Sequence, residues 1–274
     1  MSTPTIDLDA YLRRIGHDGP CRADAPTLAA LIAAHAAAIP FENLEVLAGR
    51  VPALQPQALQ RKLVDGGRGG YCFEQNSLML DVLRQIGFDV RPLEARVRAN
   101  VPPDVVTART HMALEVTLDG ARWLADVGFG GLAPLAPVAF GGQATRCPDG
   151  AVYRLLERAG TTALQLHTDH GWEDCYHLGR ESPQSVDLQV GNWYVATHPE
   201  AMLGRNLLVA RAVDGGRLTL FNRRLTFRRA STATLHEEDL ASEAHVAAVL
   251  AQRFGLVLDA ADLERALARL PGPA

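Results

Sequence analysis

Arg68-Gly69-Gly70-Tyr71-Cys72-Phe73-Glu74-Gln75-Asn76 decides how the chain is read. The glycines make a turn, and the turn delivers a cysteine into the start of an amphipathic helix. Downstream, Leu78, Met79, Val82, Leu83 and Ile86 recur at helical spacing, with Asp81, Arg84 and Gln85 on the other side. Unpaired N–H groups and the positive end of the helix dipole stabilise an anion at that point and favour thiolate over thiol. Cys72 is therefore read as a nucleophile that the rest of the chain serves.

Working back towards the start, the chain is helical. Asp7 caps a short helix with Leu8, Tyr11, Leu12 and Ile15 in one stripe and Gly16 just past its end. Pro26 opens a second helix lined by Leu28, Leu31, Ile32 and Ile39, which Pro40 stops. His35 lies near that stripe and reads as a satisfied helix-face histidine. Pro40-Phe41-Glu42-Asn43-Leu44 is an irregular turn, and a third helix over 57–64 ends at Gly66-Gly67.

Working forward, the texture changes at Phe88 to period two. A strand runs through Leu93, Ala95 and Val97, followed by a polar loop to Thr110. Strands over 110–118 and 122–127 flank Asp119-Gly120, a hairpin turn signal. Short strands near 152–157, 163–168 and 172–178 complete a meander that can close into a small barrel. Asn192-Trp193-Tyr194 leads into a boundary at His198-Pro199. Beyond it, strands over 207–213, 218–221 and 224–228 give way to helices over 237–254 and after Asp259.

The bulk properties narrow the function classes. At 274 residues, 47% hydrophobic and 21% charged, the chain has ample material for a core in two or three modest domains. A net charge of −4 supplies no general field for nucleic acid or an anionic membrane. The sequence shows neither an export signal nor about 18 consecutive apolar residues, so a cytoplasmic protein is expected. Cys21, Cys72, Cys147 and Cys175 include no CxxC pair, which argues against a disulfide framework or zinc ribbon.

A cysteine nucleophile needs a base, and the base needs a group to hold its tautomer and stabilise its cation. The hairpin supplies both. With Asp119 and Gly120 in the turn, Val127 faces Met112, Ala125 faces Leu114 and Trp123 faces Val116, apolar against apolar along one face. On the other face Asp126 lies opposite Ala113 and diagonal to His111, at roughly 7–8 Å between backbones, within reach of carboxylate and imidazole. Singly, each residue has a plain reading: a small buried cysteine, a strand-rim histidine, a turn aspartate. Together Cys72, His111 and Asp126 share a geometry that none has alone. His167, His170, Cys175 and His177 form a rival, metal-capable cluster, but their spacing is not a familiar zinc pattern. No metal is expected. Gly128-Phe129-Gly130-Gly131 lacks the Walker lysine and the Rossmann spacing, although its bare backbone can approach a ligand closely.

These stretches resemble the arylamine N-acetyltransferase family. The resemblance rests on the 68–76 stretch, Ile39-Pro40-Phe41-Glu42-Asn43-Leu44, Thr110-His111, Asp126-Val127-Gly128-Phe129-Gly130, Asn192-Trp193-Tyr194 and Thr197-His198-Pro199. It implies an α+β multidomain fold with an N-terminal helical bundle (1–88), a central β-barrel (89–197) and a C-terminal α/β lid (198–274). It implies a Cys-His-Asp triad at Cys72, His111 and Asp126, in a cysteine-protease or transglutaminase-like arrangement. It also implies ping-pong transfer from acetyl-CoA to an arylamine or arylhydrazine. Phe41 and Phe129, with Phe221 as a further candidate, would line the acceptor pocket, and Gly128, Gly130 and Gly131 would lie near the CoA pantetheine. One departure concerns pocket shape: Glu200-Ala201-Met202-Leu203 stands where the family pattern leads one to expect a phenylalanine near Leu203.

Two other readings use the same residues. A thiol hydrolase or transglutaminase-like enzyme would employ an identical triad on peptide amides, and a binding module would retain the fold without the chemistry. A monomer and a homodimer both fit the sequence.

Overall fold

The Cys72–Ile86 helix is the element on which the others pack. Leu78, Met79, Val82 and Leu83 are fully buried along its apolar face. They join one cluster with Tyr11, Leu28 and Leu31 from the N-terminal helices and Met112, Leu114 and Val116 from the first long hairpin. The helix stops at Gly87, whose φ of +102° lies in the left-handed region and whose N–H reaches back to Arg84 and Leu83. The structure is a computed structural model and describes residues 5–158, 160–229 and 233–270, so the outermost ends of the expected first and last parts lie outside the described residues.

The N-terminal helices form as their caps dictate. Asp7 accepts from the Ala10 N–H ahead of Leu8–Ile15, and Asp24 accepts from Thr27 ahead of Ala25–Ala38. The third expected helix is present as Pro56–Leu59 and runs on into a wider π-type turn, Gln60–Asp65. That turn carries Lys62 under the nucleophile's helix, where its ammonium lies 2.6 Å from both Glu45 and Glu74. Arg68 holds Glu42 at 2.7 Å, and the Glu42 and Glu74 side chains are buried.

Three carboxylates thus share Lys62, Arg68 and, 3.9 Å from Glu45, Arg50. Burial pushes the Glu74 carboxyl up to about 7, against the pull of Lys62 and with a push from Glu42. Glu74 also accepts from the Tyr71 N–H at 3.1 Å, one half of a capping box at the helix start.

An eight-stranded antiparallel sheet follows. Its order is Val138–Ala139, Ala121–Ala125, Arg109–Leu118, Asp89–Val97, Gly171–Leu178, Thr161–Thr168, Val152–Arg158, Thr145–Arg146. The Val138–Ala139 edge returns against Val152–Arg158, so the sheet is nearly closed, around Leu93, Leu124, Tyr153, Leu155 and Leu164. The hairpin register is the expected one: Leu114 pairs with Ala125 and Val116 with Trp123.

A second, five-stranded sheet runs in the order Phe41–Glu42, Leu208–Val213, Gly216–Phe221, Arg224–Arg229, Ala233–Asp239. Helices Glu243–Phe254 and Ala260–Leu267 cover it. Its first strand comes from the irregular turn near the start of the chain, with Phe41 paired to Ala210 and Glu42 to Val209.

One expectation needs correction. The stretch 237–254 is not one helix: 237–239 ends an edge strand, where Glu237 meets Arg224 at 3.3 Å, and the helix begins only after Ser242 caps the His245 N–H. Asn192-Trp193-Tyr194 lies in a helix, Ser185–Thr197, that stops at the His198-Pro199 boundary. Gly191 presents a bare face to the Phe73 ring there, and Tyr71 Oη donates to Asn192.

Replacing Lys62 with methionine would take the cation from the buried Glu74, while Arg68 still holds Glu42 and Arg50 lies 3.9 Å from Glu45. Urea denaturation is expected to show a loss of about 3–5 kcal/mol, the cost of breaking a buried ion pair from one side. A loss below about 1 kcal/mol, typical of solvated pairs, would contradict this account of the network.

Candidate active site

Cys72 is the first residue of its helix, where the N–H groups have no intrahelical acceptor. Its sulfur is buried, 3.7 Å from the Thr110 carbonyl oxygen. The next residue, His111, lies on the Arg109–Leu118 strand and is 2% exposed. His111 Nε2 is 2.7 Å from Asp126 Oδ2, which leaves Nδ1 as the nitrogen for the Cys72 sulfur that acts on the same ring. The strand pairing ends at Leu114 and Ala125, so Asp126 curls off the sheet and closes the diagonal gap to His111.

The Asp126 carboxylate is fully subscribed. Oδ1 accepts from Asn76 Nδ2 at 2.9 Å and the Gly128 N–H at 2.8 Å, and Oδ2 accepts from Tyr176 Oη at 2.8 Å besides meeting His111. Burial raises the carboxyl's pKa, but His111, Asn76 and the Gly128 N–H together hold it below the usual range. Burial alone would also discharge His111. The Asp126 charge and hydrogen bond, then Cys72, overcome this and raise His111 to about 10. A base so held keeps its proton at neutral pH.

The structure brings most of the sequence-derived candidates to this point. Phe129 packs edge-on against His111 (4.9 Å between centroids) and against Tyr176 (4.8 Å). Phe41 is buried beside Gly130. Phe221 differs: it ends its strand opposite Leu208 and is 43% exposed.

The glycines of the 128–131 turn serve close packing. A Cβ on Gly128 would come within 2.7 Å of Cys72 Cα, and one on Gly131 within 2.7 Å of Thr219 Oγ1. Gly130, at φ +57°, sits in the left-handed region. Leu203, where a phenylalanine was expected, gives its carbonyl to Asn43 and packs against the main core.

Asn76 and Tyr176 are the site residues that sequence reasoning missed. Asn76 had a signal, since it stands four residues after Cys72 and therefore on the same helix face. Tyr176 had none, because its strand reaches the site by pairing with Asp89–Val97 across a long crossover.

The rival metal cluster disperses. His177 bonds Asp174 at 2.7 Å, His167 lies against Trp172 and Cys175 is buried in the barrel. Among the described residues, no three His, Cys, Asp or Glu side chains converge as a metal site, and no helix is long and apolar enough to cross a membrane.

A family model described as N-acetyltransferase matches residues 24–263. The chain is 40% identical over 259 residues to the arylamine N-acetyltransferase of Mycolicibacterium smegmatis, covering 92% of this chain and 93% of that protein. It is 38% identical to the arylamine N-acetyltransferase of Escherichia coli, covering 92% and 89%. The structure of the Mycobacterium marinum arylamine N-acetyltransferase in complex with CoA matches with a TM-score of 0.89 at 38% identity, covering 96% of this chain and 98% of that one. With the family model and relatives spanning nearly the whole chain, and with a mixed α/β fold around a nearly closed eight-stranded sheet, the protein belongs to the arylamine N-acetyltransferase family.

Proposed function

We propose that the protein moves an acetyl group from acetyl-CoA to the nitrogen of an arylamine or arylhydrazine, by way of a thioester on Cys72. One observation carries the reading. His111 is held 2.7 Å from a fully subscribed Asp126 while the Cys72 sulfur acts on the same ring, in a chain whose relatives are named for this transfer.

In the first half-reaction His111 holds the proton taken from the Cys72 thiol, and the sulfur attacks the acetyl carbonyl. The carbonyl oxygen gains charge beside the first turn of the helix, where the Cys72 N–H is free to donate. The carbon–sulfur bond to CoA breaks, and His111 returns its proton to the departing thiol. One thioester replaces another, so this step is close to balanced. In the second half the amine nitrogen attacks acetyl-Cys72, His111 takes its proton, and Cys72 leaves as the amide forms. Asp126 stabilises the imidazolium throughout and holds its orientation.

Water must lose the competition for the acetyl group. Cys72, His111 and Asp126 are buried, and Phe129 and Phe41 offer a flat apolar surface that favours an aryl amine. Phe221, being exposed, would contribute at the pocket mouth. The backbone of Gly128, Gly130 and Gly131 is the surface offered to the pantetheine of acetyl-CoA.

The same reading divides the chain into a helical bundle over 1–88 bearing the nucleophile, a barrel over 89–197 bearing the base and its carboxylate, and an α/β lid over 198–274. Its setting is the cytoplasm, where acetyl-CoA is abundant. All three reacting side chains come from one chain, so a monomer and a homodimer serve equally.

Incubation with acetyl-CoA alone is expected to add one acetyl group by intact mass, and Cys72→Ala should abolish the adduct. The adduct should persist in buffer and clear on adding an aromatic amine. No adduct would sink the proposal, and rapid loss to water would return the hydrolase reading.

The His111–Asp126 pair also predicts a stability profile. His111 has its folded value above its ordinary 6.5, so its contribution is complete below that pH and fades as the pH rises towards about 10. Asp126 has its folded value below 3.8, so its contribution is complete above that pH and is lost on acidification. The unfolding free-energy gap between wild type and Asp126→Asn should therefore be widest between pH 3.8 and 6.5 and narrow on the alkaline side. A gap that widened with pH would contradict the pairing.

A further inference from the structure

Behind the nucleophile's turn runs a row of polar groups that the chemistry above does not use. Tyr11, His35 and Gln75 are all fully buried. Tyr11 Oη lies 2.9 Å from His35 Nδ1, and His35 Nε2 lies 2.9 Å from Gln75 Oε1. Gln75 Nε2 donates to two backbone carbonyls, those of Gly70 at 2.8 Å and Pro40 at 3.0 Å.

The direction of every bond in this row is determined. Carbonyl oxygens only accept, so the nitrogen end of the Gln75 amide must face Gly70 and Pro40, and its oxygen must face His35. His35 Nε2 therefore carries a hydrogen. Burial, reinforced by the charge of Arg14 and opposed by the Gln75 bond, lowers the ring's pKa to about 4, so it is neutral at physiological pH. Nδ1 then has no hydrogen and accepts from the Tyr11 hydroxyl.

The two carbonyls at the end of the row belong to the segments that meet at the site. Gly70 stands two residues before Cys72, and Pro40 immediately before Phe41. Their backbones already touch: Gly70 N–H reaches Pro40 O at 3.3 Å, and Glu42 N–H reaches Gly70 O at 3.0 Å. A Cβ on Gly69 would lie 2.1 Å from Pro40 O, so the approach is as close as the chain allows. Gln75 clamps this junction from the side, and only one orientation of its amide can do so.

We propose that His35 is a positioning residue for both half-reactions, setting the Gln75 amide and through it the spacing between the Cys72 turn and the Phe41 wall. This rests on the reading that Cys72 carries the acetyl group and Phe41 lines the acceptor pocket. A ring in the other tautomer would set a lone pair against the Gln75 oxygen. A flipped amide would set that oxygen against two carbonyls. Either way the clamp opens, and both the nucleophile and the wall lose their fixed distance.

The test uses the full chain with three variants. His35→Leu removes the donor. His35→Gln puts an amide N–H where Nε2 stood. Gln75→Met keeps the ring but removes the amide that links His35 to the Gly70 and Pro40 carbonyls. Imidazole nitrogen shifts from 15N NMR should show wild-type His35 neutral with its hydrogen on Nε2, and finding it on Nδ1 would overturn the proposal.

His35→Leu should slow single-turnover acetylation of Cys72 and raise the arylamine KM, each by about tenfold, the scale of a sub-ångström misplacement. His35→Gln should recover most of both, although it too gives up the Tyr11 bond and some thermal stability. A merely structural histidine would lower stability in both variants and leave the rate and KM of the folded fraction unchanged, which would also overturn the proposal. Should His35→Leu fail to fold, Gln75→Met decides: slower Cys72 acetylation with a raised arylamine KM supports the clamp, and an unchanged rate and KM refute it. A wild-type protein that takes up no acetyl group would count against the transferase reading instead, since the tautomer is read independently of activity.

Discussion

The site depends on one carboxylate that has no acceptor position left. Asp126 meets His111, Tyr176, Asn76 and the Gly128 N–H, which come from two non-adjacent strands, the nucleophile's helix and the turn after the hairpin. A buried carboxylate survives only when so compensated, and the compensation fixes four pieces of chain around it. Asn76 ties this cluster to the helix twice more, donating to Met112 O and accepting from the Val127 N–H. Cys72 and His111 thus owe their relative position to the satisfaction of a single charge.

Beneath that cluster the helix start rests on a second set of charges of opposite character. Asp126 is held ionised by neutral donors and one imidazolium, whereas Glu42, Glu45 and Glu74 gather around Lys62, Arg68 and Arg50. The first arrangement stabilises charge where chemistry needs it. The second fastens the turn and leaves one carboxyl, Glu74, near neutrality in its titration. Close approach recurs around both: a Cβ on Gly69 would meet Pro40 O at 2.1 Å, and one on Gly128 would meet Cys72 Cα at 2.7 Å.

Much of this was legible from residue order. The Asp119-Gly120 turn set the hairpin register, and the register set the side chains of His111 and Asp126 on a common face. Helix caps at Asp7, Gly16 and Asp259 were visible for the same local reason. What escaped was non-local. Tyr176 arrives by a strand crossover, and Phe41–Glu42 is a strand only because Leu208–Val213 lies beside it. The edge strand Ala233–Asp239 was hidden because its acidic residues read equally well as a helix start. His35 looked like an ordinary satisfied core residue, and its bond directions needed coordinates.

The pairing of Phe41–Glu42 with Leu208–Val213 bears on how the protein comes to be made. Asn43 Oδ1 and the Leu208 N–H, 165 positions apart, bond across the same junction. Contacts of such sequence separation form late, since the loop between them must first be ordered. During synthesis the barrel, with His111 and Asp126 already paired, can fold before Leu208 leaves the ribosome. The base therefore precedes the wall. A chain interrupted in its last quarter would carry an organised thiol with no enclosing surface. Completion of the C-terminal sheet is thus the moment at which the Phe41 strand is fixed beside the Cys72 turn.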